Sequence, residues 1–310
     1  MSTTGNLVTL TDTFQTEDEA RTFLEDLRWP DGPICPHCGA TDAYKITPKK
    51  PGSKTRKGLY KCRAKECRKQ FTVTVGTIFE DSHIPLRKWL MAIHLMCASK
   101  KGMSAHQLHR MLGVTYKTAW VMCHRIRYAM TQEPLRSKLQ GTVEVDETYV
   151  GGKVRGGSKR GRLDKPPVVA LVERGGEVRA FPMPQVTEAN LRQAIRDHVE
   201  PSSRIMTDQH YGYRNVSPEF AEHQSVSHSQ HEWVRGEAHT QTVEGFFSLL
   251  KRGVHGTYHH VGDGHLHRYV DEFAFRWNQR HVEDGERAAA AIRGGEGKRL
   301  MLKQPSPGGR

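Results

Sequence analysis

The order of hydrophobic and polar positions divides the chain into a largely helical first part and a second part of short strands and helices. Phe14, Phe23, Leu24 and Leu27 have the spacing of a short amphipathic helix that begins after Thr16. From residue 84 to about residue 130 the pattern is again helical. One apolar stripe in this region is formed by Leu86, Trp89, Leu90, Ile93 and Cys97.

Beyond Gly141 the pattern changes to apolar strands. The predicted strands are Thr142–Val150, Pro167–Glu173, Val178–Met183 and Arg204–Asp208, with a short strand near Val226. The predicted helices are Glu188–Val199, a helix from about Thr242, and His265–Arg280. This order predicts an α/β domain with a sheet flanked by helices. The sequence after Asp284 is expected to be loosely ordered.

Four of the six cysteines occur in two close pairs. Cys35 and Cys38 form the first pair, and Cys62 and Cys67 form the second pair after 23 intervening residues. Two such pairs can supply four thiolates to one tetrahedral Zn²⁺. Because a small loop-rich segment buries little apolar area, we expect the metal to supply folding free energy. No ligand position remains for water, so the predicted zinc is structural.

A pair of helices joined by a tight turn is predicted at Ser104–Met111 and Thr115–Met130, with Gly113 in the turn. This arrangement resembles a helix-turn-helix unit that contacts DNA through its second helix. The alternative is an ordinary helical hairpin with a solvated basic face. Ala119, Met122, Cys123 and Ile126 are expected to face inward, and Tyr116, Lys117, Arg125 and Arg127 are expected to be free to meet DNA. Cys97 and Cys123 are expected to be core residues.

Composition favours a polyanionic partner. The 310-residue chain has 47 Lys and Arg against 34 Asp and Glu, a formal charge of +13. Neutralised phosphates release counterions, so such a charge suits a polyanionic partner, with a soluble protein that happens to be basic as the alternative. No segment approaches the roughly 18 consecutive apolar residues of a membrane span, and the N-terminus lacks a signal-peptide pattern. We therefore expect no membrane partner and a cytoplasmic, nucleoid-associated location.

Acidic residues occur near the ends of two predicted strands. Residues 143–147 alternate, so Glu144 and Asp146 should share the face opposite the valines. If the strand that ends at Asp208 is a neighbour, Asp146 and Asp208 can project into one crevice. The apolar helix that follows could bring Glu244 towards them, with Lys251 two turns later on the same face. A cation at Lys251 could hold a DNA phosphate there.

Clustered carboxylates are suited to hard divalent cations such as Mg²⁺, which prefer oxygen ligands. Two such ions about 3.5–4 Å apart can activate an attacking oxygen and stabilise a leaving one. Without a metal the carboxylates would repel one another. Each acid considered alone is more readily explained as a solvated surface residue, so the hypothesis depends on the three acids taken together.

Several longer segments show a family resemblance. They are Cys35-Pro-His-Cys38, the run from Phe71 to Phe79, Val145-Asp-Glu-Thr-Tyr-Val-Gly-Gly152, Thr207-Asp208, and the run from His239 to Arg252. With them the chain, from about Phe14 to Asn278, resembles bacterial insertion-sequence transposases that join an N-terminal zinc ribbon to a DDE catalytic domain.

The resemblance implies a ribonuclease H-like catalytic domain in which Asp146, Asp208 and Glu244 bind Mg²⁺ or Mn²⁺. Asp208 and Glu244 are separated by 35 residues, a spacing that DDE enzymes often show. It also implies cleavage of DNA at the element ends, strand transfer into target DNA, and several copies of the protein acting together. Gln241 stands where many relatives carry Asn. Some relatives use an amide in this region, which leaves Glu244 the least constrained ligand.

These observations predict five parts of the chain: an N-terminal helix at 1–30, a zinc ribbon at 31–80, a helix-turn-helix-like segment at 81–135, the DDE domain at 140–284, and a flexible tail at 285–310. Within the DDE domain, Gly151–Lys165 contains six basic residues and five glycines. It is expected to form a mobile hairpin for the DNA backbone, with an ordinary loop as the alternative.

Other functions remain open from the sequence. The protein could be a DNA-binding regulator derived from a transposase with an inactive catalytic domain. It could also be a nuclease of the same fold that hydrolyses DNA without joining it. A recombinase with a Tyr nucleophile is less favoured, because no Arg-His-Arg arrangement surrounds Tyr149 or Tyr211.

Overall fold

The computed structural model describes residues 14–47, 56–131, 137–151, 165–216 and 219–301. These residues form two compact units. The first unit contains the described residues up to 99, residues 105–130 and residues from 282 onwards. The second contains residues 100–104 and the described residues from 131 to 281. The predicted Gly151–Lys165 hairpin lies almost wholly outside the described residues.

The first unit combines a small sheet with several helices. The strands β1 (Ala43–Lys45), β2 (Tyr60–Cys62) and β3 (Gln70–Phe71) form an antiparallel sheet in the order β1-β2-β3. The helices are α1 (Glu17–Arg28), α2 (Leu86–Ala98), α3 (Ala105–Leu112), α4 (Tyr116–Met130) and α8 (Asp284–Arg293).

Local sequence explains where α1 begins and what it packs against. Thr16 accepts a hydrogen bond from the backbone N–H of Glu19, and the Glu19 carboxylate accepts one from the N–H of Thr16. This reciprocal capping satisfies two N–H groups that the first turn leaves unpaired. Trp29, just after α1, packs edge-on against Tyr60 and Phe71 of the small sheet. The sheet is thereby fixed to the helix by aromatic contact.

The predicted helix pair is present as α3 and α4. Gly113 has a φ of +58° in the turn between them, a conformation that glycine adopts at little cost. Thr115 accepts a hydrogen bond from the N–H of Thr118 at 3.2 Å and so caps α4. Cys97 of α2 and Cys123 of α4 are both buried, as expected of core residues.

The sequence after residue 284 differs from the expected flexible tail in its described part, because residues 284–293 form α8. This helix packs against α2 and α4, and it buries Ala288, Ala289 and Ile292. Arg287 donates a hydrogen bond to the carbonyl oxygen of Cys97 at the end of α2. Small side chains let α8 lie close to its neighbours, so an alanine-rich segment that suggested disorder instead completes a core.

The second unit is built on a mixed five-stranded sheet. Its strands are β4 (Thr142–Tyr149), β5 (Pro167–Glu173), β6 (Val178–Pro182), β7 (Arg204–Asp208) and β8 (Glu222–Val226). Their spatial order is β6-β5-β4-β7-β8. The pairs β6/β5 and β5/β4 are antiparallel, whereas β4/β7 and β7/β8 are parallel.

Helices cover both faces of this sheet. Val143 and Val145 of β4 face a cluster that includes Leu191 and Ile195 of α5 (Glu188–His198). The opposite face packs against α6 (Gln241–Gly253) and α7 (Leu266–Asn278). The apolar residues that α6 contributes are Val243, Phe246, Phe247 and Leu250. The mixed α/β fold of the ribonuclease H-like type is therefore confirmed, and the alternation of β4 directs Glu144 and Asp146 to the α6 side.

Candidate functional site

The four paired cysteines converge in the first unit. Their sulfur atoms all lie within 4.8 Å of one another. The Sγ atoms of Cys35 and Cys67 are 3.8 Å apart, and those of Cys38 and Cys62 are 3.7 Å apart. Four sulfurs around a tetrahedral zinc at about 2.3 Å would be separated by about 3.8 Å. These distances fit a bound zinc ion and are far longer than a disulfide bond.

Two tight turns hold the cysteines in this position. In the first turn the N–H of Gly39 donates to the carbonyl of Cys35 at 2.8 Å, and Gly39 has a φ of +73°. In the second turn the N–H of Cys67 donates to the carbonyl of Ala64 at 3.1 Å. Cys62 lies on β2, where burial raises the pKa of its thiol to about 12. A metal ion bound by the four sulfurs would have to displace this proton.

The register of two parallel strands brings the first two predicted acids together. Glu144 of β4 pairs with Met206 of β7. Continued by two residues, this register places Asp146 beside Asp208. Both strands run in the same direction, so both aspartates lie towards the carboxyl end of the sheet.

Asp146 has a strongly acidic environment. Burial, followed by the neighbouring charges of Glu147 and Asp208, raises the pKa of Asp146 to about 8. Glu244 adds a smaller contribution of the same sign. The carboxylate also accepts a hydrogen bond from the N–H of Glu147 at 2.7 Å. The charges of both other predicted ligands, Asp208 and Glu244, therefore act on Asp146.

Residues that follow Asp208 in the chain hold the side chains of Asp208 and Glu147 in position. The carboxylate of Asp208 accepts a hydrogen bond from the N–H of His210 at 2.9 Å. The hydroxyl of the buried Tyr213 donates to Glu147 at 2.7 Å. Nδ1 of His210 lies 3.9 Å from Glu147. The hydrogen bond from Tyr213 therefore fixes the position of the Glu147 side chain.

Glu244 lies in the first turn of α6 with its side chain 46% exposed. Its carboxylate accepts a hydrogen bond from the hydroxyl of Thr240 at 3.0 Å. Nε2 of His228 lies 3.7 Å from it. Lys251 is exposed in the last turn of the same helix.

The donor set of these acids fits a hard cation, because carboxylate oxygens are the ligands that Mg²⁺ and Mn²⁺ prefer. In the described part of the chain, the four cysteines form the one group of three or more side chains close enough together to hold a metal ion, and Asp146, Asp208 and Glu244 do not form such a group. The oxygens of the three acids are therefore more widely spaced than the thiolates. The exposed side chain of Glu244 leaves room for it to approach the aspartates.

Sequence reasoning missed the role of Glu144, which it grouped with Asp146. The Glu144 side chain has no exposure to solvent and contacts the start of α6. The only sequence signal was an acid placed between two valines of a strand, Val143 and Val145. Its partners lie about 30 and 98 residues away, beyond the reach of local pattern.

The surface of α4 also differs from the sequence expectation. Arg125 donates hydrogen bonds to the carbonyl oxygens of Ile78, Glu80 and Leu300, each at 2.9 Å. Arg127 is 2% exposed. The prediction that both arginines are free to meet DNA is therefore wrong, because Arg125 is bonded to the segments around residues 78–80 and 300 and Arg127 is buried.

The exposed side chains of this helix pair include those at the start of α4. Tyr116 and Lys117 are exposed, and the ring of Tyr116 stacks on His106 of α3 at 4.2 Å. These side chains remain available to a partner. None of the helices that the structure describes is both long and apolar enough to cross a membrane.

Comparison with known proteins gives matches for the region of the four cysteines and for the region of the five-stranded sheet. Residues 15–70 match a transposase zinc-ribbon domain, and residues 138–278 match an ISXO2-like transposase domain. The chain is also 31% identical over 281 residues to an uncharacterized protein in transposable element ISH50 of Halobacterium salinarum. That alignment covers 85% of this chain and 92% of its relative.

Proposed function

Because the chain belongs to the family of ISXO2-like transposases, we propose that it cuts DNA at the ends of its own mobile element and joins those ends to target DNA. The zinc ribbon and the α3/α4 pair bind the ends, and the second unit carries out the chemistry. The observation that carries the proposal is the parallel β4/β7 register, whose last pair, Glu144 and Met206, lies two residues before Asp146 and Asp208 on their strands.

The carboxylates of Asp146, Asp208 and Glu244 would hold Mg²⁺ or Mn²⁺. When bound, the metal neutralises charge on the reacting phosphate and lowers the pKa of a coordinated oxygen. The protein's own contribution is to hold two aspartates on adjacent strands and to present Glu244 from α6. Lys251 extends from the same helix as a cation for the DNA backbone.

Two displacements at phosphorus make up the proposed reaction. In the first, the oxygen of water forms a bond to an end phosphate and the 3′-oxygen of the element leaves as a hydroxyl. In the second, that hydroxyl attacks a phosphate of target DNA, and the target's own 3′-oxygen leaves. The number of phosphodiester bonds is conserved in the joining step, so no energy source is required. Two ends must be processed together, which calls for a homo-oligomer on DNA.

The test uses purified protein and a plasmid that carries the gene with its native flanks. With Mg²⁺ or Mn²⁺ we expect cuts at the flanks, free 3′-hydroxyls and covalent joining to a second plasmid. A chelator should abolish these products. Nicks that never join would indicate a nuclease. Flank binding without cutting at any metal concentration would indicate an inactive regulator, and a covalent protein–DNA adduct would overturn the metal mechanism.

A further inference from the structure

Glu144 is a fully buried carboxylate in the middle of β4 that contacts the first turn of α6. It accepts hydrogen bonds from the backbone N–H of Thr242 at 2.7 Å and of Val243 at 3.0 Å. The hydroxyl of Thr242 donates to it at 2.8 Å. One side chain from the sheet therefore receives three donors from a single helical turn.

These contacts act as a helix cap that comes from another element. The first N–H groups of a helix have no partner within it, and the N-terminus carries partial positive charge. Thr240, the residue at the cap position of α6, makes no side-chain capping hydrogen bond and instead donates to Glu244. Glu144 thus supplies the acceptor and the negative charge that the start of α6 otherwise lacks.

The buried charge of Glu144 is balanced within the protein. Nε of Arg174 donates to Glu144 at 2.7 Å, and Nη2 of Arg174 donates to the carbonyl of His239 at 3.1 Å. Nδ1 of His239 lies 3.2 Å from Glu144. A buried carboxylate without such partners would be strongly destabilising, whereas a paired one can be retained for the geometry that it imposes. Arg174 ties the same carboxylate to the segment that enters α6.

The position of Glu144 links two of the proposed metal ligands. Glu144 precedes Asp146 by two residues on β4, and its partner Val243 precedes Glu244 by one residue on α6. Its carboxylate therefore sets the distance between the strand of the first acid and the helix of the third. Gln241 lies in the same turn, so this relationship holds whichever side chain of that turn approaches the metal.

We propose that Glu144 is a positioning residue that holds the start of α6, and with it Glu244, at the aspartates of β4 and β7. This inference rests on the proposed function of those acids as metal ligands. A residue with a merely structural role would lower stability alone. A positioning residue must also change metal affinity and the rate of the chemical step when the protein is folded.

The test compares Glu144→Gln with a matched control, Glu272→Gln. The glutamine at 144 keeps the shape but removes the charge and turns an amide NH₂ towards donors. Glu272 of α7 is also fully buried, is paired with Arg276 at 2.6 Å and accepts a hydrogen bond from the hydroxyl of Tyr258 at 2.7 Å. Both variants should lose stability by comparable amounts, which isolates any effect specific to Glu144.

The first measurement is hydrogen exchange of peptides from the start of α6 in the absence of DNA. We expect Glu144→Gln to exchange about tenfold faster or more at residues 242–246, because the local opening free energy falls. Glu272→Gln should exchange as wild type there. Unchanged exchange in Glu144→Gln would overturn the proposal.

The second measurement is Mn²⁺ binding, followed by electron paramagnetic resonance at a temperature where all variants are folded. Glu144→Gln should bind about 10- to 100-fold more weakly than wild type, the usual effect of losing an outer-shell partner. Faster exchange with unchanged Mn²⁺ affinity would make Glu144 a helix cap only and would overturn the proposal. Absence of Mn²⁺ binding by wild type would overturn it as well.

The cleavage assay adds a kinetic criterion. In Glu144→Gln we expect kcat to fall about 100-fold, the effect of a small misplacement of a catalytic group, with KM for DNA unchanged. Equal losses in the two variants would indicate a structural role and would count against the proposal. If wild type binds Mn²⁺ but cuts no DNA, the proposed function fails, and exchange and Mn²⁺ binding still decide the role of Glu144.

Discussion

Glu144 and Asp146 lie two residues apart on the same face of β4, and their carboxylates have opposite surroundings. Glu144 is fully buried and surrounded by donors from α6 and Arg174. Asp146 is surrounded by the acids Glu147, Asp208 and Glu244. The charge of Glu144 is therefore balanced within the protein, whereas Asp146 is the carboxylate that the proposed metal ion would neutralise.

This contrast predicts how a divalent cation affects stability. Mg²⁺ should raise the free energy of unfolding of wild type by about 1.4 kcal/mol for each tenfold excess over its dissociation constant. Asp146→Asn should lose this response and, in chelator, should be at least as stable as wild type, because repulsion among the acids is reduced. The measurement is thermal unfolding with and without Mg²⁺.

The control for this experiment is Asp197→Asn, which removes an exposed acid at the end of α5. This variant should respond to Mg²⁺ as wild type does. A full Mg²⁺ response in Asp146→Asn would show that the ion binds elsewhere.

The cysteine cluster predicts one tightly bound zinc ion per chain. Cys62→Ser should lose the zinc and destabilise the β1–β3 sheet, because the metal contributes folding free energy there. Native mass spectrometry of the purified proteins measures the stoichiometry. Cys97→Ala, which changes a buried cysteine outside the cluster, should keep its zinc. Zinc retained at full occupancy in Cys62→Ser would contradict the assignment.

Two basic residues of α4, the exposed Lys117 and the hydrogen-bonded Arg125, predict different effects of removing a positive charge on DNA binding and on stability. Lys117→Ala should weaken DNA binding with little effect on stability, and the slope of log affinity against log salt should fall in magnitude by about 1. Fluorescence anisotropy with DNA of the element ends at several salt concentrations measures both. Lys138→Ala, in the second unit, is a matched control for general charge loss.

Arg125→Ala should act through stability instead. It removes three hydrogen bonds to backbone carbonyls and should cost about 1.5–3 kcal/mol or more of unfolding free energy. At temperatures where it is folded, its salt dependence should match that of wild type. A reduced salt slope with unchanged stability would show that Arg125 meets DNA after all.

Packing between α6 and α7 predicts different outcomes for two glycines of α6. A Cβ at Gly253 would lie 2.0 Å from Cζ of Phe273, so Gly253→Ala should cost about 1–3 kcal/mol through overpacking. A Cβ at Gly245 meets nothing within 4 Å, so Gly245→Ala should stabilise by about 0.5–1 kcal/mol through helix propensity. Urea unfolding measures both, and equal effects of the two changes would contradict this packing.

Local features of the chain were predictable from sequence, and tertiary ones were not. The cysteine pairs and the Thr16 cap depend on spacings of three to five residues, so the pattern revealed them directly. The strands that carry Asp146 and Asp208 were predicted as well. The sequence could not show that these two strands are neighbours, which the β4/β7 pairing in the structure does.

The missed features all depend on distant parts of the chain. Arg125 has its partners near residues 78–80 and at 300, so its basic character gave no sign of burial. The helix α8 is held by packing on α2 and α4 rather than by a strong apolar stripe of its own. Glu144 acquires its role only when α6 folds back onto β4.

The most direct test of the central claim is the rate of DNA cutting by Asp208→Asn beside Asp197→Asn, the same chemical change at an exposed site of the same unit. On a plasmid with the native flanks and Mn²⁺, we expect Asp208→Asn to cut more than about 1,000-fold slower than wild type while it binds the flanks equally well. Asp197→Asn should cut at the wild-type rate. Cutting by Asp208→Asn at that same rate would contradict the assignment of the β4/β7 acids as the catalytic site.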